Sequence, residues 1–326
     1  MAFETRTPAG RPTLSEQVFM NQDVYHIPAL LPQTIEWLAV RPGGIYVDAT
    51  LGGGGHSGAI ASLLEVGHLY SIDQDIEAIR RAEPTAVFTP VHGNFRWLGN
   101  YCDYYGITGR VDGILADLGV SSHHFDDAGR GFSFRADGPL DMRMNPDAPR
   151  SAADLVAEAD IDELTRIFRV YGELKQARKL AQAIVTRRTK DPIVTTGALV
   201  DTVSRLINPA REKKELAQIF QALRIVVNGE MEALEAFLGQ CVDVLRPGGR
   251  LAVITYHSLE DRMVKNFMRS GRIDGEMEKD LFGRTSAPMR PLTSKAIVPD
   301  DAEVEANPRS RSAKLRVAEK ITDSPR

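Results

Sequence analysis

Cysteine is nearly absent: the 326 residues hold two, Cys102 and Cys241, far apart and without ligand-like spacing. A disulfide framework and a cysteine-built metal site are thereby excluded, and both read as reduced structural thiols. No metal ligands are assigned, and whether a metal assists RNA binding is left open. Long apolar runs are missing too; no stretch reaches the roughly 18 residues of a transmembrane helix. Residues 1–22 are polar, carry Pro8 and Pro12, and lack the apolar core of a secretion signal, so a flexible tail and a cytoplasmic protein are expected. Net positive charge is also lacking: the balance is −4, which argues against indiscriminate nucleic-acid binding but leaves room for a local basic patch. No internal repeat is apparent. With 43% hydrophobic and 26% charged residues, the composition suits one large globular domain or two.

Glycine, by contrast, is concentrated in one place. Gly44-Ile45-Tyr46-Val47-Asp48-Ala49-Thr50-Leu51-Gly52-Gly53-Gly54-Gly55-His56-Ser57-Gly58 reads as a short strand, an acid, a glycine loop and then a helix. Ser57 is predicted to cap that helix, which should run through Leu63 and Leu64. Such a loop holds a nucleotide-like ligand. Gly53-x-Gly55-x-x-Gly58 also matches the dinucleotide fingerprint, so NAD and S-adenosylmethionine both have to be weighed. Asp48, at the strand end before the glycines, suits an ammonium group and would repel a pyrophosphate, which favours S-adenosylmethionine. A plain glycine-rich turn is the bland alternative.

Further elements follow in order. A helix is predicted over 30–40, ended by Pro42-Gly43, and a second strand over 68–72 ends at Asp73, where a ribose diol would be gripped. Asp73 could instead cap the next helix. A third strand, 86–92, leads to Phe95, and a fourth, 111–116, ends at Asp117. Strand and helix in alternation predict an α/β fold with a parallel doubly wound sheet, whose ligands sit over the carboxyl ends of its strands. Asp48, Asp73, Phe95 and Asp117 all fall at such ends, although Phe95 could be simple core.

Past Asp117 lies a polar, glycine-rich stretch to Met144 that is dense in reactive groups. From about residue 151 the periodicity turns helical and basic residues gather: 13 Lys/Arg against 5 Asp/Glu between Leu164 and Arg224. A helix predicted over 174–190, with Lys175 and Arg178 near its start, carries six basic residues and no acid. A basic helical insertion beside a nucleotide site suggests a polyanionic substrate, most simply nucleic acid, with a solvated charged face as the alternative. The pattern then predicts one long helix over 220–245, a stop at Arg246-Pro247-Gly248-Gly249, a fifth strand over 251–256 delivering His257, a helix over 261–268 and a last strand over 313–318.

Several motifs together carry a resemblance. Asp48-x-Thr50-x-Gly52-x-Gly54-Gly55-His56-Ser57, Asp117-Leu118-Gly119-Val120-Ser121-Ser122, Arg130-Gly131-Phe132-Ser133-Phe134, Asp137-Gly138-Pro139-Leu140-Asp141-Met142-Arg143-Met144, Tyr171-Gly172-Glu173, Phe220-Gln221-Ala222-Leu223-Arg224-Ile225, His257-Ser258-Leu259-Glu260-Asp261-Arg262 and Asn307-Pro308-Arg309-Ser310-Arg311-Ser312 lie in the order and spacing of one family. From His26 to Ala318 the chain resembles the bacterial small-subunit ribosomal RNA cytosine-N4-methyltransferases, the RsmH or MraW family. The resemblance implies a Rossmann-like class I S-adenosylmethionine methyltransferase sheet with an inserted all-helical substrate-recognition domain. The expected divisions are a tail 1–22, a methyltransferase part 23–135, an RNA-recognition insertion 136–218 and a second methyltransferase part 219–326. It further implies methylation of 16S rRNA within the 30S subunit, at the N4 of a decoding-region cytosine, with no membrane partner; a homodimer is left open.

Carried over residue by residue, the cofactor contacts fall on Gly54, Gly55, His56, Asp73, Phe95, Asp117 and His124, to which the ammonium argument adds Asp48. The family commonly reads Ser-Ser-Pro-Gln where this chain has Ser121-Ser122-His123-His124, so a ring nitrogen replaces an amide. Some relatives carry Arg in place of Gly53. The chemistry asks for a hydrogen-bond acceptor that draws the delocalised N4 lone pair toward a tetrahedral geometry. Asp117 is the candidate, with service to the cofactor's adenine amine as the alternative. His257, leaving a strand end, is a candidate proton acceptor or substrate contact, or else a structural histidine. Asp141, Arg143, Arg262, Arg309 and Arg311 are expected to hold loops or RNA phosphates. A nicotinamide-dependent oxidoreductase and a non-catalytic assembly factor are the competing functions.

Overall fold

A computed structural model describes residues 28–119, 127–277 and 287–321. The expected tail and His124 lie outside the described residues. Helix α1 (Leu31–Leu38) takes a proline in its first turn and ends on Ala39 in the left-handed region. Strand β1 (Ile45–Asp48), helix α2 (Gly55–Ala61), strand β2 (His68–Asp73), helix α3 (Ile76–Arg81) and strand β3 (Phe88–His92) follow. Asp75, not Asp73, caps α3 by accepting from Glu77 N. A 3₁₀ turn (Phe95–Trp97), helix α4 (Leu98–Tyr104) and strand β4 (Val111–Asp117) complete the first part.

Helices then take over: α5 (Ala152–Glu158), α6 (Ile161–Val170), α7 (Ala177–Arg188) and α8 (Thr196–Val203). The Ser151–Asp154 capping box starts α5 and Asp160 caps α6, so each helix begins where a short polar side chain can satisfy first-turn N–H groups. The single helix predicted over 220–245 is two. Helix α9 (Glu212–Asn228) and helix α10 (Glu230–Val244) are separated by Gly229 at φ 56, a conformation that ends α9 and that glycine adopts without steric penalty.

Strand β5 (Leu245–Thr255) begins six residues before the predicted start at 251, because Leu245 already pairs with Val111 and the Pro-Gly segment is absorbed in a register shift before Arg250 pairs with Gly113. Helix α11 (Ser258–Ser270) also outruns its predicted 261–268. Strand β6 (Met289–Pro291), helix α12 (Asp301–Ala306) and strand β7 (Lys314–Lys320) close the chain.

The seven strands among the described residues run in the order β3-β2-β1-β4-β5-β7-β6, parallel from β3 to β5, with β7 antiparallel to both neighbours. Strand order reverses between β1 and β4, which places a crevice over their carboxyl ends. Alternation sets the two faces: Val47 and Ile114 enter one buried cluster, Tyr46 and Leu115 the other. A third cluster contains no strand; it joins Phe132 and Leu140 to Leu164, Phe168, Leu180 and Leu223. Helix α9 therefore belongs by packing to the helical excursion, while α10 packs on the sheet through Leu234 and Phe237.

Candidate functional site

A cavity of about 1000 Å³ opens over the carboxyl ends of β1, β2, β4 and β5. Its floor is the glycine loop. Leu51 N donates to Ile72 O, Gly52 N to Asp73 Oδ2 and Gly54 N to Leu51 O, while Gly52 (φ 51) and Gly54 (φ 80) occupy the left-handed region. A Cβ at Gly53 would meet nothing within 4 Å, so bare backbone faces the cavity there. Ser57 does not cap α2, correcting the prediction; Gly54 is the N-cap residue and Ser57 lies a turn inside. Its hydroxyl donates to Asp48 Oδ2 at 2.6 Å and lies 2.8 Å from Ser71 Oγ.

Asp48 is a second correction. It is fully buried beneath the loop, where Oδ1 accepts from Thr50 N and Oγ1 and Oδ2 from Ser57. The carboxyl thus ties the loop to α2 and does not line the cavity as an ammonium contact would. Burial pushes it up to about 7, against the hydrogen bonds from Ser57 and Thr50. Because the folded state holds this proton more tightly than the unfolded chain, its contribution is full below the ordinary carboxylate range and is lost as pH rises toward 7. Asp48→Asn is expected to be more stable than the wild type by roughly 1–2 kcal/mol at pH ~8, with the advantage shrinking toward pH ~4. Urea unfolding across pH checks this; a pH-independent difference would remove Asp48 as the cause.

Asp73 and Phe95 do line the cavity. Asp73 is oriented by Gly52 N on Oδ2 and Asp75 N on Oδ1, at 2.7 and 2.8 Å. The Phe95 ring stands edge-on to Phe237 at 5.4 Å, so α10 fixes a wall of the site.

Asp117 lies at the end of β4. Its backbone N donates to Thr50 Oγ1 at 2.7 Å, and its carboxylate faces the Tyr256 hydroxyl and stands 3.6 Å from His56 Nδ1. Burial raises the Asp117 carboxyl and lowers the His56 imidazole. Tyr256 was legible only as a strand residue. Its ring lies over Gly119, where a Cβ would come within 2.7 Å of it, so the glycine after β4 admits the aromatic ring.

His257 is corrected from proton acceptor to helix cap. Its Nδ1 accepts from Glu260 N at 3.4 Å, which leaves the ring proton on Nε2, 3.1 Å from Glu260 Oε1 but off the line of a good hydrogen bond. Neither nitrogen is then a free base. Glu260 in turn accepts from Tyr256 N and His257 N. Glu230, His257 and Glu260 bring ligand-type atoms within 4.8 Å of one another. Arg224 engages Glu230 through two hydrogen bonds, at 2.8 and 2.9 Å, so Glu230 already has its counter-charge, and the three side chains line the cavity.

The opposite wall comes from the helical excursion: Phe132, Phe134, Met144 and Phe220, the last two rings of this aromatic group meeting edge to face at 5.5 Å. The loop before α5 is rigidly held. Arg143 donates through Nε and Nη2 to Asp141 and through Nη1 to Ala148 O, so this pair shapes the loop and its donors are engaged there, correcting the phosphate role. Asn228 bonds Met142 O and Met144 N from α9. Of the other basic candidates, Lys175 and Arg311 are exposed, Arg309 is exposed at the cavity, Arg178 lies 3.1 Å from Asp162 and Arg262 lies 3.5 Å from Glu173. The predicted basic helix over 174–190 shortens to α7, and Arg188 turns inward to the carbonyls of Val156 and Ala159.

The model of the MraW methylase family matches residues 23–321. The chain belongs to the MraW methylase family. A protein of Phocaeicola vulgatus named ribosomal RNA small subunit methyltransferase H is 56% identical over 300 residues, covering 92% of this chain and 98% of that protein. The protein of the same name from Porphyromonas gingivalis is 53% identical over 306 residues, covering 92% and 98%, and that from Amoebophilus asiaticus 47% identical over 298 residues, covering 91% and 96%. The methylase cofactor, S-adenosylmethionine, fits what the site presents: a bare glycine backbone at Gly53, an oriented carboxylate at Asp73 and the Phe95 ring, all on one cavity. Among the described residues no helix is long and apolar enough to cross a membrane.

Proposed function

We propose that this methylase transfers a methyl group to the exocyclic N4 of a cytosine in the decoding region of small-subunit ribosomal RNA, working on 16S rRNA in the cytoplasm. The observation that carries the reading is Asp117, a hydrogen-bond acceptor at the end of β4 in a cavity of about 1000 Å³. That volume is at the upper end for a single small-molecule ligand, and leaves room for a base beside the cofactor. The names of the relatives point to the ribosomal RNA of the small subunit, and the family resemblance to N4 of cytosine.

S-adenosylmethionine supplies an already activated methyl group, so positioning outweighs acid-base work in what the protein must do. Gly54, Gly55, Asp73 and Phe95 hold the cofactor side. Asp117 accepts a hydrogen bond from the amine, drawing its lone pair out of the ring and toward the methyl. Tyr256, on the same cavity, packs beside the Asp117 carboxylate. The aromatic wall from Phe132 to Phe220 receives a base turned out of its stack. Lys175, Arg178, Arg262, Arg309 and Arg311 contact phosphates, which fix register without reading sequence.

Labelled methyl transfer to 30S subunits and to protein-free 16S rRNA lacking the modification, followed by nucleoside digestion, tests the reading. N4-methylcytidine is the expected product. Label on another nucleoside overturns the N4 assignment, and tight 30S binding with no label overturns the enzyme in favour of an assembly factor.

A further inference from the structure

The amine that receives a methyl group is left with one proton too many, and the neighbour of Asp117 bears on where that proton goes. His56 Nε2 lies 3.1 Å from Ala29 O. A carbonyl only accepts, so the proton of the neutral imidazole sits on Nε2 and Nδ1 is a bare lone pair. That lone pair faces Asp117 Oδ2 at 3.6 Å, on a ring only 6% exposed and unable to swing into solvent. Two lone pairs so placed repel; a single proton between them makes the contact attractive, either as a carboxyl donating to Nδ1 or as an imidazolium beside a carboxylate. We propose that His56 and Asp117 work as a one-proton pair, with His56 giving the proton shed by the methylated amine a second place to reside.

The proposal rests on the reading of Asp117 as the acceptor of the amine. In the step, the bond between nitrogen and the methyl carbon forms as the donor's carbon–sulfur bond breaks. The donor leaves as a neutral thioether, and the surplus proton passes from nitrogen to the Asp117 carboxylate, shared with Nδ1. The proton-free pair is the working form. Either member can take the first proton, so the pair binds it more tightly than Asp117 would alone. Facing Asp117 are also the Tyr256 hydroxyl and the carboxylates of Asp48 and Glu260. His56 faces Asp117 and the Ala29 carbonyl.

His56→Gln keeps a donor for the Ala29 carbonyl and removes Nδ1. The acid limb of the kcat–pH profile is expected to move to lower pH by about one unit. An unmoved limb overturns the pair. Imidazole ¹⁵N NMR gives a second reading without turnover: the signal lost in His56→Gln should titrate in the wild type and stay in the neutral Nε2–H form from pH ~5 to ~8 in Asp117→Asn. Titration unchanged by Asp117→Asn overturns the pair, even if His56→Gln does not fold. Should the wild type transfer no methyl to RNA, the functional reading fails while the NMR titration still decides the pair.

Discussion

Asp117→Asn is expected to lower the rate of methyl transfer by about 10²–10³-fold, with S-adenosylmethionine affinity within about threefold. The amide is nearly isosteric. The backbone bond from Asp117 N to Thr50 Oγ1, 2.7 Å, is untouched, so the end of β4 should keep its shape. What changes is the charge and one acceptor atom, which becomes a donor and can no longer draw the amine lone pair toward the methyl. Single-turnover rates and equilibrium cofactor binding separate the outcomes. A large loss of affinity with an intact rate would place Asp117 on the cofactor's adenine amine and remove it from the chemistry.

Arg224→Ala is expected to destabilise the fold by about 3–5 kcal/mol, the range for removing one partner of a buried ion pair. Arg224 and Glu230 are only 14% and 12% exposed and meet through two near-parallel hydrogen bonds, spanning the break at Gly229. Truncating the guanidinium leaves the Glu230 carboxylate without its counter-charge beside His257 and Glu260. Adding Glu230→Gln should recover most of the loss, since neutralising the orphaned charge removes the penalty. Urea unfolding of both variants checks this. A change under about 1 kcal/mol would show that the pair behaves as an exposed one.

The sheet was legible because it is written in local signals: runs such as Ile45–Asp48 and Val111–Asp117 end in acids and are bounded by glycines. Asp73, Phe95 and Asp117 could be placed at the site for the same reason, as strand ends of a parallel sheet share one edge. The missed features depend on what packs across. Nothing near Asp48 in the chain shows that Ser57 and Thr50 occupy both its oxygens, and the histidine after β5 gives no hint that Glu260 N occupies its Nδ1. The break at Gly229 was hidden by apolar periodicity continuing on both sides, since a glycine inside a helical pattern is tolerated at a cost and need not end the helix. Tyr256 reads as one more strand residue until Gly119 is seen beneath its ring.

Asn228 has a consequence for how such a molecule can be varied. By bonding Met142 O at 2.8 Å and Met144 N at 2.7 Å, it clasps the chain that has left the sheet to the chain about to return to it. The helical excursion is thereby held at its root, and Glu173 ties it a second time, to Ser258 and Arg262 of α11. A change at the clasp would therefore be felt at the cavity itself, which Met144 and Asn228 both line.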